Sequence, residues 1–417
     1  MALLLRLYED GSLKWLEYAR GGSPDRLVLL DDGGAVMTGR FQGTMTFAEG
    51  AVEETILEST DKQDVFVARY EQDGSFSWAF GIGGVENDLA LGLVAMEGGD
   101  FVIAGEFEAS VDFSTPPTPD TTISTDAYRS VFVARYNSAG VLQWVKQAQG
   151  PGASITHQMA KTPEGDIVVV GEIQDSVSFD GAGGSVTLTS RASSDGFVAR
   201  FGSGGEVQWA MGLGSDQPAD EAGYPGYSDS ATAVAVSEDG IIYVAGDFGH
   251  PLILGEGGTV LGDSDSWSYK KLFLAALDGT GAIQWAHSTE TGTTDGSSSW
   301  HVAEKLLPLS DGGLILAGYF TDQMVMSDFG GTPSTLVSEG NFDIFLTRLE
   351  EDGSVMWTHS AGGIDPDYIG DVVLGDDSVA VVGTFNATAS FPISNSFVES
   401  LTSVGSQDVF LLQRPLD

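Results

Sequence analysis

Between Asp64 and Phe107 the chain passes through four short runs of apolar and aromatic residues, each closed by glycine and acidic residues. Val65 to Tyr70 and Ser75 to Phe80 are rich in β-branched and aromatic side chains, which favour strands, and Gln72-Asp73-Gly74 between them is hairpin-turn chemistry. A second hairpin follows. It pairs Leu89 to Met96 with Phe101 to Phe107 across Glu97-Gly98-Gly99-Asp100, where glycine supplies the positive φ of a tight turn.

This pattern recurs along the whole chain. The tryptophan closing the first hairpin returns at Trp15, Trp78, Trp144, Trp209, Trp285 and Trp357, and the phenylalanine opening it at Phe66, Phe132, Phe197, Phe273, Phe345 and Phe410, with a period of 63 to 76 residues. Gly39, Gly105, Gly171, Gly246, Gly318 and Gly383 form a third column, each two residues before an apolar side chain; glycine held at one position predicts backbone crowding there.

Repeats of this size and content predict an all-β fold, a six-bladed β-propeller of four-stranded antiparallel blades, with seven blades as the alternative. One domain over 1-417 is expected, with blades at approximately 19-80, 81-147, 148-211, 212-287, 288-359 and 360-417, the last closed with 1-18. Residues 2 to 18 read as third and fourth strands without the first two. The C-terminus supplies Ile369 to Leu374, Val379 to Phe385 and Val409 to Gln413, after which Pro415 blocks continuation. Joining the two ends closes the ring, removes its edges and leaves one strand redundant, either 3 to 8 or 409 to 413, unless the chain was cut from a longer repeat protein.

Asp-x-Phe-x-x-Arg-Tyr, a glycine turn with tryptophan, Gly-Gly with a nearby aspartate and Gly-x-Phe together resemble the bacterial β-propeller repeat called SBBP. The match is strongest at Asp64 to Tyr70 with Trp78, Gly83, Gly84, Asp88 and Gly105, and at Ser130 to Tyr136 with Trp144. In the fourth copy Lys271 replaces the aspartate and Ala276 the arginine. The resemblance implies a secreted or surface-displayed bacterial protein and carries no assigned chemistry.

Composition narrows the partners. With 60 Asp and Glu against 18 Lys and Arg, the net charge of −42 repels nucleic-acid phosphate and anionic lipid, which excludes both as expected partners. There is no cysteine, hence no disulfide or thiolate metal site, and no apolar run reaches the roughly 18 residues of a membrane span. The opening MALLLRLYEDG is too short in apolar residues for a signal peptide and already matches repeat sequence, so an export signal is expected to have been removed. The acidity reads as solubility in an extracellular medium or as divalent-cation binding on acidic loops.

In a propeller, the turns between first and second and between third and fourth strands share one end. Here they are short, as at Asp32-Gly33-Gly34 and Asp352-Gly353. The other end carries arms of about 20 residues, each an extra hairpin such as Ser176 to Phe179 with Ser185 to Thr189, and the long connections between blades, so a ligand is expected there. Asp64, Asp195, Asp343 and Asp408 are expected to accept backbone hydrogen bonds that lock arm to blade.

Tyr224, Tyr227, Trp267, Tyr269 and Trp300 gather at this end beside acidic residues and form the candidate ligand-binding set, suited to sugar stacking or to a cationic or peptide ligand. Glu106, Glu172 and Asp247 share one column and form a candidate carboxylate cluster. Asp263 and Asp265 are candidate calcium ligands, calcium being the one candidate cofactor. His250, His287 and His301 are too far apart along the strand order for zinc. Arg26, Gln158 and Lys305 share a column on the innermost strand. No nucleophile elbow, zinc-protease helix or phosphate loop is present. The reading is a non-enzymatic surface domain that binds a protein or carbohydrate ligand; a carbohydrate-active hydrolase or lyase and a structural spacer are the alternatives.

Overall fold

The six copies fold as antiparallel strand modules with a shared register. In the copy that begins at Asp88, Asp88–Ala95 pairs with Phe101–Phe107 (Leu93↔Ile103), Phe101–Phe107 pairs with Ser130–Tyr136 (Val133↔Ala104), and Ser130–Tyr136 pairs with Leu142–Gln147 (Arg135↔Trp144). Between the second and third strands an arm hairpin, Ser110–Asp112 with Thr122–Ser124, adds Val111 and Phe113 to the core beneath. Asp88–Ala95 and Phe101–Phe107 match the expected strands Leu89 to Met96 and Phe101 to Phe107 to within a residue, whereas the expected Ser75 to Phe80 runs on as Phe76–Gly84. The structure, a computed structural model, describes all residues except 1, 8–11, 116–120, 182, 192, 216–227, 263–268, 293–298, 331–333, 376, 395–396 and 417.

Each repeated residue has a local cause. A Cβ on Gly39, Gly105, Gly246, Gly318 or Gly383 would overlap a backbone carbonyl of the neighbouring first strand and the ring of Phe66, Phe132, Phe273, Phe345 or Phe410. The expected crowding is therefore present, and it lets the third-strand phenylalanine lie flat on the second strand. The tryptophan reaches the next copy: Trp15, Trp144 and Trp285 donate their indole N–H to the carbonyls of Gln72, Ser203 and Glu351, at 3.3, 3.1 and 3.1 Å, and cover the turn glycines Gly74, Gly205 and Gly353. The arginine beside it ties back to an acid of the second-strand turn, as Arg69 to Asp32 (2.5 Å) and Arg200 to Asp166 (2.8 Å).

The aspartates at the start of the third strand act as the sequence suggests. Asp64, Asp195, Asp343 and Asp408 accept the backbone N–H four residues earlier, from Thr60, Arg191, Glu339 and Val404, at 3.2, 3.0, 2.8 and 2.7 Å. They hold the end of the arm against its own strand. Gly83, Gly214 and Gly362 pass directly under three of these carboxylates, where no side chain fits.

Two units divide the chain: 1–189 with 199–210, and 190–198 with 211–417. The first is centred on a core of Phe101, Phe107, Phe113, Phe132 and Tyr136, and the second on one of Leu272, Leu316, Phe320, Met326 and Phe345. In sequence the division falls within the strands Asp195–Phe201 and Val207–Gly214.

A uniform closed propeller of six or seven blades is not what these modules build. Among the described residues their strands join sheets of eight, four, six, two, ten, three and three strands, none closed on itself. Fusion occurs where the Gly-Gly end of a fourth strand pairs with the arm of the next copy, as Gly83↔Asp112 and Gly363↔Ala389. Among the described residues no strand of one end pairs with a strand of the other. Ala2–Leu7 pairs with Leu13–Leu29, a 17-residue strand that runs on into the next first strand, whereas Asp408–Pro415 pairs with Ser378–Phe385 and ends a three-stranded sheet. Both segments expected to compete for one place are thus used, each in its own sheet.

Candidate ligand-binding face

In the second unit, the strand Ile242–Phe248 places Asp247 near its end, and the neighbouring strand Tyr269–Leu277 begins with Tyr269 and Lys270. The antiparallel register sets Asp247 opposite Leu272, and the start of that strand pairs in parallel with the next first strand, Lys270 opposite Trp300. Lys270 forms an ion pair with Asp247, and its ammonium lies 5.7 Å from the centre of the Trp300 ring, a cation–π distance. Trp300 remains 42% exposed. Its backbone N–H is held by Thr321 Oγ1 at 3.0 Å, so the ring is presented from a fixed strand.

Beside this group stand Tyr319, Phe342 and Tyr368, whose ring centres are 5.2 to 5.8 Å apart, two of the three contacts edge-on. Burial pushes the Tyr319 phenol well above its ordinary range, and the carboxylates of Glu304 and Asp247 push the same way. Tyr319 is therefore a neutral hydroxyl at physiological pH. Tyr319 lies opposite Val302, two residues along the strand that carries Trp300.

The first unit carries a parallel arrangement. Glu106, buried at the end of Phe101–Phe107, accepts from Arg129 at 2.5 Å, and Arg129 also meets Glu108 at 3.2 Å. Burial raises the Glu106 carboxyl, while the charges of Arg129 and His157 pull it back. Arg129 lies 5.3 Å from the ring of Tyr128, which is 72% exposed. His157 contacts Glu172 at 3.1 Å. Exposed rings beside charges held in ion pairs suit stacking and polar recognition of a bound group. The three carboxylates of the candidate cluster each face a base: Arg129, His157 and Lys270.

Of the five expected aromatics, Trp300 lies in this patch and Tyr269 starts the adjoining strand. Tyr224, Tyr227 and Trp267, with the calcium candidates Asp263 and Asp265, lie outside the described residues, as does the Tyr269 side chain. The histidines are separately engaged: His301 lies between Thr289 Oγ1 (2.8 Å) and Ser299 Oγ (3.1 Å), and His287 packs against Trp285 and Phe329. Among the described residues no group of three or more His, Asp or Glu side chains is placed to hold a metal. Lys305 pairs with Asp371 at 2.9 Å, and Arg26 donates to the Asp25 carbonyl at 2.9 Å. Sequence reasoning missed Tyr128, Arg129, Lys270 and Tyr319. A signal existed in Tyr128-Arg129 and Tyr269-Lys270, which precede the aspartate column only in the two copies where serine or lysine replaces the aspartate.

No family model matches the chain. It is 24% identical over 225 residues to the regulatory protein FlaEY of Caulobacter vibrioides, covering 54% of this chain and 21% of that protein. It is 23% identical over 209 residues to the uncharacterized WD repeat-containing protein L264 of Acanthamoeba polyphaga mimivirus, covering 47% of this chain and 15% of the relative. The chain thus spans only 21% and 15% of the length of these two curated relatives. Among solved structures, the Pan2 WD40 domain of Neurospora crassa aligns over 86% of each chain at 11% identity with a TM-score of 0.29. The rhamnogalacturonan lyase YesW aligns over 90% of this chain and 66% of the enzyme at 13% identity with a TM-score of 0.23. The chain has a distant WD40 or β-propeller-like relationship, which does not extend to the specific SBBP repeat.

Proposed function

We propose that this chain is a non-catalytic interaction domain, displayed outside the cell, that binds a protein or carbohydrate ligand through the patch around Trp300. The observation that carries the reading is an exposed tryptophan on a fixed strand, oriented by Lys270, which is itself held by Asp247. A rigid aromatic beside anchored charges contributes much of the energy in recognition sites because little side-chain freedom remains to be lost on binding. The ion pairs on Glu106, Glu172 and Asp247 argue for recognition over acid–base work, since each carboxylate already answers a base.

The test is a glycan array and a peptide library screened with the intact chain, followed by titration of the best binder against Trp300→Ala and Lys270→Ala. Truncating the ring is expected to weaken binding about 10- to 100-fold. Removing Lys270 should cost less than that. Equal affinity of wild type and Trp300→Ala would remove the patch from the function, and the absence of any binder would leave the spacer reading.

A further inference from the structure

Two aspartate columns meet where one copy of the repeat adjoins the next. Asp64 and Asp343 start third strands, and Asp88 and Asp367 lead the first strands that follow. The backbone brings the columns together: Asp88 N–H donates to the carbonyl of Gln63, just before Asp64, at 2.8 Å, and Asp367 N–H to the carbonyl of Phe342, just before Asp343, at 2.7 Å. All four side chains are buried, with Asp88 and Asp367 at 0% exposure, Asp343 at 2% and Asp64 at 4%.

Each carboxylate has a backbone donor on one oxygen. Thr60, Gly84, Glu339 and Gly363 supply it at 3.2, 2.8, 2.8 and 2.9 Å, and Asn386 adds a second donor to Asp367 at 3.2 Å. The Oδ1 atoms of Asp64, Asp88 and Asp343 are buried without any hydrogen-bond partner. No base is ion-paired with any of the four among the described residues. A Cβ placed on Gly362 would lie 2.5 Å from Asp343 Oδ1 and 2.9 Å from Asp367 Oδ2, so both carboxylates converge on the same glycine. An uncompensated pair of buried carboxylates is costly, and its natural relief is a counter-charge.

The chain contains its own comparison. In the second copy both columns change together, to Ser130 and Ser154, and the hydroxyls find ordinary partners: Ser130 Oγ donates to the Ala148 carbonyl at 2.6 Å and Ser154 Oγ accepts from Val131 N–H at 2.9 Å. The junction thus needs no charge in order to fold. Where the first-strand position is aspartate, as at Asp88, Asp229 and Asp367, the third-strand position is aspartate too, at Asp64, Asp195 and Asp343; Asp229 already has backbone donors on both oxygens, Ser215 at 2.9 Å and Gly249 at 3.2 Å.

We propose that Asp64 with Asp88, and Asp343 with Asp367, each form a divalent-cation site that takes calcium in preference to magnesium. The donors are all oxygens, two carboxylates with the Gln63 or Phe342 carbonyl at the same junction, and the irregular arrangement suits an ion that accepts variable geometry over one that demands an octahedron. The proposal does not depend on the binding patch described above.

The test uses the full chain stripped with chelator and titrated with calcium chloride, then magnesium chloride, at pH 7.5 in 0.15 M sodium chloride, by calorimetry and by thermal unfolding. Variants are Asp64→Ser with Asp88→Ser, Asp343→Ser with Asp367→Ser, and all four together, which copy the serine pair the chain already folds with. Asp88→Asn and Asp343→Asn serve as shape-preserving alternatives should a serine variant not fold. Wild type is expected to show saturable calcium heat and a rise in melting temperature of at least about 3 °C at 5 mM, with a weaker magnesium response. Each double variant should lose part of both signals, and the fourfold variant should lose them while melting in chelator no lower than wild type. Absence of saturable heat in wild type overturns the proposal. So does an undiminished response in the fourfold variant, which would trace calcium binding to the acidic surface at large.

Discussion

His301 shows how much a single side chain can cost when its surroundings admit only one charge state. Fully enclosed between Thr289 and Ser299, its imidazole is pulled down to about 3, chiefly by burial, with Lys271 adding to the effect. In the unfolded chain the same ring titrates near 6.5. Between these values the unfolded state binds the proton and the native state does not, so stability rises with pH and is lost as pH falls from about 6.5 toward 3. The loss is on the order of 1.4 kcal/mol per pH unit in the middle of that window. Burial acts oppositely on Asp229, raised to about 7, where stability is lost as pH rises through that value. Comparing wild type with His301→Asn isolates the histidine: the variant is expected to be less stable at pH 7 yet to lose less between pH 6 and 4, as read from urea unfolding at each pH. Parallel curves for the two proteins would mean that His301 is charged in the native state.

At the scale of paired elements, stability rests on how closely neighbouring strands approach. Gly105 lies in Phe101–Phe107, where that strand crosses Asp88–Ala95, and a methyl group there would strike the Leu89 carbonyl and the Phe132 ring. Backbone cannot move aside as a flexible side chain does. Gly105→Ala is therefore expected to cost about 1–3 kcal/mol or more. Gly212 is the control, since a Cβ there meets nothing within 4 Å and its backbone needs no positive φ; Gly212→Ala should stay within about 0.5 kcal/mol. Denaturant midpoints of the two variants check the contrast. The strand pairs themselves were legible, because runs such as Asp64–Tyr70 are bounded by Asp-Gly turns and their apolar residues repeat in register. Which sheet edges would join was not. The pairing Gly83↔Asp112 depends on two glycines that the sequence marks only as a recurring Gly-Gly pair, and their actual work is to clear the Asp64 carboxyl and the Ser110 carbonyl. Arg129 and Lys270 were hidden for a related reason: each lies one residue before the repeating column, where a search for conserved spacing between copies does not look.

Across the whole molecule, charge is the property that sequence states outright and structure only distributes. With 60 acidic and 18 basic side chains, even complete pairing of every base would leave most acids without an opposite charge. Exposed ion pairs such as Arg20–Glu49 contribute at most about 1 kcal/mol each and weaken in salt. Repulsion among the remaining carboxylates weakens too, and it involves more charges over longer distances. At 10 mM salt the screening length is about 30 Å, so carboxylates on separate strands repel one another; at 0.15 M it is about 8 Å and they largely do not. The balance favours repulsion. The melting temperature in chelator, at pH 7.5, is accordingly expected to climb by several degrees as sodium chloride rises from 10 mM to 0.5 M, with most of the gain below 0.15 M. A fall over the same range would show that ion pairs, despite their number, outweigh the repulsion of a chain carrying a net charge of −42. Because sodium is monovalent and calcium is chelated, this gain should be equal in wild type and in the fourfold aspartate-to-serine variant, which separates general screening from occupancy of the two buried carboxylate pairs.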